Sequence, residues 1–156
     1  MRRFASSLFS ALAILAGAAQ LNAGGLWVVL GNPQANPQAQ ALKAFVTAKM
    51  AGCHEPEKAK LTAVAIGEIN GVRKTVELKL TPLAEPGSYA LTRQWPAEGK
   101  WVLQFTGEEH GVLTSSLIAA GANGVDQSTL RSAMRAPARD DVDALLRRSP
   151  VTTAAR

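Results

Sequence analysis

The fold of this chain is decided by residues 60–106, which read KLTAVAIGEINGVRKTVELKLTPLAEPGSYALTRQWPAEGKWVLQFT. Residues 75–81 alternate apolar and polar side chains, and residues 100–106 repeat the pattern. Successive side chains of a β-strand point to opposite faces, so each run predicts a strand with one dry face and one wet face. Two further apolar runs, residues 61–66 and 89–93, bring the number of predicted strands to four. Strands with one dry and one wet face usually belong to antiparallel sheets.

Turn signals separate these runs. Asn70-Gly71 suits a two-residue hairpin, because both residues tolerate positive φ. Pro86-Gly87 suits a type II turn, in which proline presets φ and glycine takes the positive-φ position. Residues 96–99 make a longer connection. Connections of this kind within about fifty residues favour a sandwich or barrel over a βαβ fold, which needs crossover helices.

The remaining strands are predicted on either side of this stretch. Residues 112–120 are an apolar run, and residues 41–50 have no turn signal and could form a helix or a strand; alternate apolar positions from 44 to 50 favour the strand. Together the runs predict an all-β fold, an Ig-like antiparallel β-sandwich of six to seven strands over residues 42–121. Residues 24–41 are predicted to be a linker with a possible first strand, and residues 122–156 a tail. The predicted core comprises Val76, Leu78, Leu80, Leu91, Trp101, Leu103 and Phe105.

The tail is predicted to contain one short helix, near residues 140–148. Aspartates stand at its start, arginines at its end and Pro150 just after it, as the helix dipole and helix stop signals favour. Its narrow apolar stripe consists of Val142, Leu145 and Leu146. Two interpretations stay open: a marginal helix that docks weakly or frays, or a helix that binds a partner.

Residues 1–23 are predicted to be a secretory signal peptide. A basic start precedes a clean apolar run, residues 8–19, and small residues follow it. The apolar run has about twelve residues, fewer than the roughly twenty that a membrane-spanning helix needs. We therefore expect cleavage after Ala23, with Ala18 as the alternative. The mature chain is then periplasmic or extracellular and is not an integral membrane protein.

The charge distribution argues against nucleic acid as the partner. The formal net charge is +5, from 17 basic and 12 acidic residues, and it falls to +3 once Arg2 and Arg3 leave with the signal peptide. Residues 24–125 are nearly neutral, and residues 126–156 carry six arginines and four aspartates. Nucleic-acid binding uses clustered Lys and Arg with stacking aromatics, and no such cluster stands out. We expect a protein or an envelope component as the partner.

Two segments of the central stretch resemble a known signature. Residues 86–89 read PGSY and residues 96–101 read PAEGKW. They resemble the P-G-x-Y … G-x-W signature of YtkA-like and FixH-like bacterial exported domains, over residues 60–106. The resemblance implies a small Ig-like sandwich outside the cytoplasm, sometimes in a copper-handling or cytochrome-oxidase context. Unlike related copper-binding sandwiches, this sequence has no histidine at its predicted mature N-terminus.

Copper handling is the first alternative function. Met50, Cys53 and His54 are close in sequence, and His110 is the other histidine. Soft thiolate, thioether and imidazole ligands suit Cu(I). In the competing interpretation Met50 packs in the core, and Cys53 and His54 occupy a loop. The single cysteine rules out an internal disulfide and the usual haem attachment motif, and no other cofactor is expected.

A small hydrolase is the second alternative. Cys53 and His54 are adjacent, so on an extended chain their side chains point apart, whereas a nucleophile and its base usually come from distant positions. Glu108 and Glu109 are likewise neighbours that diverge on a strand, and opposed carboxylates are needed for glycosidase chemistry. No catalytic residue is predicted.

Aromatic residues suggest a binding surface instead. Tyr89, Trp95 and Trp101 flank the connection before the last central strand. If exposed, they can stack on a sugar or grip a protein; if buried, they belong to the core. Trp101 shares a strand face with Leu103 and Phe105, which favours the core for that ring. The sequence predicts an exported, non-catalytic binding or accessory module.

Overall fold

A computed structural model describes residues 25–52 and 55–152 of the chain. The predicted signal peptide, its cleavage site and the residues Cys53 and His54 lie outside these ranges. Within the described ranges, no helix combines the length and the apolar character needed to cross a membrane.

Two antiparallel sheets pack face to face around a common core. The strands are β1 (Leu26–Gly31), β2 (Val46–Gly52), β3 (Lys60–Ile69), β4 (Val72–Leu78), β5 (Thr81–Pro82), β6 (Ser88–Leu91), β7 (Lys100–Glu109), β8 (Val112–Ala120) and β9 (Val125–Ala133). One sheet has the order β1-β2-β6-β5 and the other the order β4-β3-β7-β8-β9. The all-β prediction is therefore confirmed.

The strand count is higher than the sequence predicts. The part of the chain that the structure describes has nine strands, against six to seven predicted. The additional strands are β5, which has two residues, and β9, which lies in the predicted tail. β9 reads VDQSTLRSA and has no apolar alternation, because it is an edge strand held by backbone pairing with β8. β9 therefore occupies part of residues 122–156, which the sequence predicts to be a tail with one short helix.

Most of the predicted linker, residues 24–41, forms a strand and two short helices. β1 fills its first part, and a 3-10 helix (Pro33–Ala35) and α1 (Pro37–Ala41) follow. The side chains of Asn32 and Asn36 accept backbone N–H bonds at the start of each helix. Asn-Pro pairs commonly mark loops, but here each pair is a helix cap followed by a proline in the first turn.

Turn chemistry fixes the hairpins. Asn70 and Gly71 have φ values of 50° and 77°, which confirms the predicted two-residue turn between β3 and β4. His110 and Gly111, with φ values of 49° and 81°, close a second such turn between β7 and β8. Gly87 has a φ of 70° in the predicted turn between β5 and β6.

The core contains most of the side chains predicted for it. Leu78, Leu91, Trp101, Leu103 and Phe105 are buried in it, and Val76 and Leu80 are half-buried at its margin. The Trp101 ring is 1% exposed and lies over Gly67, its cross-strand neighbour. A Cβ on Gly67 would come under 3.0 Å from that ring. Trp101 Nε1 donates to the Glu98 carbonyl at 2.7 Å.

The free side of β1 is partly covered by β8. Met50 on β2 donates its N–H to the Gly87 carbonyl, away from β1. Val28 on β1 lies opposite Met50 and therefore makes no backbone hydrogen bond to it. The Val28 carbonyl points to the open side of β1. The fully buried Ser116 hydroxyl donates to this carbonyl at 3.3 Å and is 2.9 Å from the Ser132 hydroxyl.

Candidate functional site

The predicted short helix is present as α2 (Arg139–Arg148) and lies on the outer face of the five-stranded sheet. Its stripe of Val142, Leu145 and Leu146 is buried against Ile66, Val102 and Leu117. An ion pair from Arg73 to Asp143 also ties α2 to β4. The apolar stripe therefore packs within the chain, and its side chains are buried there.

A groove of about 280 Å³ runs between α2 and β9. The buried side chains of Leu117 and Leu145 give it an apolar base. Three arginines line it: Arg131 and Arg135 on the β9 side, and Arg148 on the last turn of α2. This is the described cavity in which the most cationic groups converge on an apolar surface, so we take it as the candidate functional site.

The carboxylate of Asp141, the acidic group lining the groove, is already engaged. It accepts the Ala138 backbone N–H at 3.0 Å and pairs with Arg135 Nη2 at 2.7 Å. The Ala138 bond and then the Arg135 guanidinium hold the pKa of Asp141 below its ordinary value, so it is ionised at neutral pH. The groove thus carries a net charge of +2, from three arginines and one aspartate.

Two of the arginines remain available. Arg131 donates through Nη1 to the Leu130 carbonyl at 2.8 Å. Within the described ranges, neither Arg131 nor Arg148 has a carboxylate oxygen within 4.0 Å. Both side chains are exposed at the groove. They can therefore meet an incoming anion without first breaking an ion pair.

Local structure explains where the arginines lie. Arg131 is the cross-strand partner of Leu117, so both side chains share the sheet face on which α2 packs. The Ser115 hydroxyl donates to the Arg135 carbonyl at 2.8 Å and fixes the chain just after β9. Arg148 stands in the last turn of α2, where the helix dipole favours a cation.

Sequence reasoning missed this groove. Its first wall is β9, a strand that the side-chain pattern does not reveal. The available signal was compositional: residues 126–156 contain six arginines and no lysine. Arginine presents a planar fork of donors that matches carboxylate and phosphate, so this bias favours anion recognition.

The predicted metal ligands are not brought together in the described ranges. Met50 is 1% exposed and packs in the core, where a Cβ on Gly107 would overlap its terminal methyl group. The alternative prediction, that Met50 is a core residue and not a metal ligand, agrees with this burial. Cys53 and His54 lie outside the described residues, and His110 is exposed in its turn. Among the described residues, no group of three His, Cys, Asp or Glu side chains is placed to hold a metal ion.

His110 instead lines a polar pocket of about 340 Å³ at the β7–β8 turn, with Lys58, Lys60, Glu108 and Glu109. One Glu109 oxygen is buried without a hydrogen-bond partner within the described ranges. A hydrolase would need a nucleophile here as well, and Cys53 is not among the described residues. The hydrolase alternative stays a prediction.

The burial of Trp101 confirms its predicted place in the core, and neither tryptophan can belong to an exposed aromatic binding surface. Trp101 and Trp95 are 1% and 4% exposed, and Tyr89 is half-buried. The Trp95 ring meets Phe45 edge-on at 5.0 Å between centroids. The Arg93 guanidinium lies over both rings, at 5.0 Å from Phe45 and 5.5 Å from Trp95. The Phe45 and Trp95 rings therefore stabilise the fold and do not form an exposed stacking surface.

Comparison of the chain with protein-family models, with curated proteins and with solved structures finds no match. The resemblance to YtkA-like and FixH-like domains therefore stays a prediction.

Proposed function

We propose that this protein is an exported, non-catalytic binding module that takes a small anionic ligand in the α2–β9 groove. The observation that carries the proposal is the net charge of +2 over the apolar base of Leu117 and Leu145. Known ligand pockets have volumes of about 300–1,000 Å³. The groove, at about 280 Å³, lies just below the small end of this range, so it suits a small ligand with one charged group and a short apolar body.

The strand order supports an Ig-like assignment. The order β1-β2-β6-β5 corresponds to strands A-B-E-D of an immunoglobulin sandwich. The order β4-β3-β7-β8 corresponds to C′-C-F-G, and β9 extends that sheet at its edge. Such sandwiches are common scaffolds for binding, although the fold does not specify the ligand.

Export is the second part of the proposal. It rests on the basic start, the short apolar run and the small residue at Ala23, together with the resemblance to exported domains. If the chain is exported, it meets its ligand outside the cytoplasm. N-terminal sequencing of the protein from cell envelopes should give a chain that begins near Gly24, and a retained Met1 would contradict export by cleavage.

Calorimetric titration of the mature chain, residues 24–156, tests the groove. The probes are hexanoate and hexyl phosphate, with hexanol as the uncharged analogue. We expect at least one anion to bind and hexanol not to bind, because two arginines meet the charge. The double variant R131Q/R148Q should weaken anion binding at least tenfold, which corresponds to about 1.4 kcal/mol.

A charge-matched variant provides the control. Lys74 and Lys79 are exposed and lie outside the groove lining, so K74Q/K79Q removes the same charge elsewhere. It should bind the anion as the wild type does. Equal losses in the two double variants would mean that the anion responds to overall charge, and the groove would no longer be the site.

A further inference from the structure

We infer that the anionic group recognised in the α2–β9 groove is a phosphate monoester carrying a short apolar arm. This inference rests on the proposed function and narrows its ligand class.

The two available arginines lie at one end of the groove, on opposite walls. The chain turns back between β9 and α2 near Pro137, and Arg135 meets Asp141 at that turn. Arg148 follows Asp141 by seven residues, about 10 Å along a helix. Arg131 lies two residues before β9 ends at Ala133, about 7 Å along the strand, and Arg135 follows beyond that end. Both therefore lie away from the turn and face the same end of the cavity.

Donors on opposite walls suit a tetrahedral anion. A carboxylate has two oxygens in one plane, and one guanidinium can satisfy both in a bidentate pair. A phosphate monoester has three terminal oxygens that point in different directions. Its oxygens suit guanidinium donors that line a groove from different walls, as Arg131 and Arg148 do.

The charge balance favours the same group. The groove carries +2, and a phosphate monoester carries about −1.5 to −2 at pH 7. A carboxylate or a sulfate ester carries a single negative charge and would leave the groove cationic. At the other end Arg135 is already paired with Asp141, so no free guanidinium meets a second anionic group there. The arm that extends along Leu117 and Leu145 is therefore apolar.

Two sources can supply this chemistry: a soluble phosphate monoester, or the exposed phosphate of a lipid such as phosphatidic acid. Calorimetry on the mature chain compares hexyl phosphate, hexyl sulfate and hexanoate at pH 7.5. A sedimentation assay then uses phosphatidylcholine vesicles with and without phosphatidic acid. Binding to hexyl phosphate alone supports a soluble ligand, and additional binding to the phosphatidic acid vesicles supports a lipid source.

We expect hexyl phosphate to bind at least tenfold more tightly than hexyl sulfate or hexanoate. Its advantage should shrink below about pH 6, where the phosphate loses its second charge. The variant R131K/R148K keeps the charge but loses the planar forks, so it should bind hexyl phosphate more weakly than the wild type. The control K74Q/K79Q should keep the full preference, and circular dichroism melts verify that each variant is folded.

Equal affinities for hexyl phosphate and hexanoate would overturn this inference and leave the proposed anion-binding function standing. Failure of every anion to bind would overturn both. A preference for hexyl phosphate that survives in R131Q/R148Q would also overturn it, because the recognising groups would then lie elsewhere.

Discussion

Replacing Trp101 with alanine tests the packing at the centre of the sandwich. A buried tryptophan ring removes about 150–250 Å² from water. At about 25 cal/mol per Å² this corresponds to about 4–6 kcal/mol, and Trp→Ala substitutions in cores typically cost about 3–5 kcal/mol. Trp101 is 1% exposed, so we expect a loss in that range. Typical domains have only about 5–15 kcal/mol of stability, and the variant should be close to unfolding.

Gly67 makes the prediction more specific. The substitution G67A places a Cβ under 3.0 Å from the Trp101 ring and 2.6 Å from the Lys100 carbonyl oxygen. Such overpacking costs about 1–3 kcal/mol. In the W101A background the ring no longer obstructs the new methyl group. The double variant should therefore lose less stability than the two single losses combined, by about 0.5–3 kcal/mol. The Lys100 carbonyl remains in place, so the compensation is incomplete.

Urea unfolding of the four proteins in this cycle gives the free energies and the m-values that check two-state behaviour. Equal midpoints for wild type and W101A would show that the ring is not buried. Strictly additive losses in the double variant would show that Gly67 is not required by the Trp101 ring. Either result would refute the packing described for β3 and β7.

Three further changes address α2 and a turn. Leu146→Ala should destabilise the protein by about 2–5 kcal/mol in urea, because this side chain is buried under α2; a change below about 1 kcal/mol would mean that α2 docks weakly. Asp143→Asn should lower stability at neutral pH but not in acid. Arg73 holds the pKa of Asp143 below its ordinary value, so the contribution is present above about pH 4 and is lost as pH falls through the lowered pKa. Urea midpoints at pH 7 and about pH 2.5 check this, and equal differences at both would contradict it. His110→Asn should raise the free energy of unfolding by up to about 1 kcal/mol and raise the melting temperature, because asparagine tolerates the φ of 49° more readily. A lower melting temperature would count against this turn geometry.

The parts of the fold that were predictable are those that local sequence encodes. β7 carries apolar side chains on alternate positions, and β4 does so in its second half, at Val76 and Leu78, so period-two alternation reveals them. Asn70-Gly71 encodes its turn directly. β9 leaves no such trace, because it is a polar edge strand that forms only by pairing with β8.

The site was out of reach for a related reason. The groove needs Arg131 from β9 and Arg148 from α2, which become neighbours only once β9 is in place. Trp95 gives a second example. Its burial depends on Phe45, which is far away in sequence and contacts the ring only in the folded sandwich. Nothing in the residues next to Trp95 could have indicated that contact.

The Ser116 hydroxyl has a consequence for the behaviour of the protein in concentrated solution. Among the edge strands of the described sheets, β4 and β9 carry charged residues and β5 contains Pro82, whereas β1 is uncharged and has no proline. Apolar edges of that kind recruit strands from other molecules and seed aggregation. By occupying the Val28 carbonyl, Ser116 removes one of the acceptors that an invading strand would need. A buried serine thus guards against self-association at the edge with the fewest other safeguards.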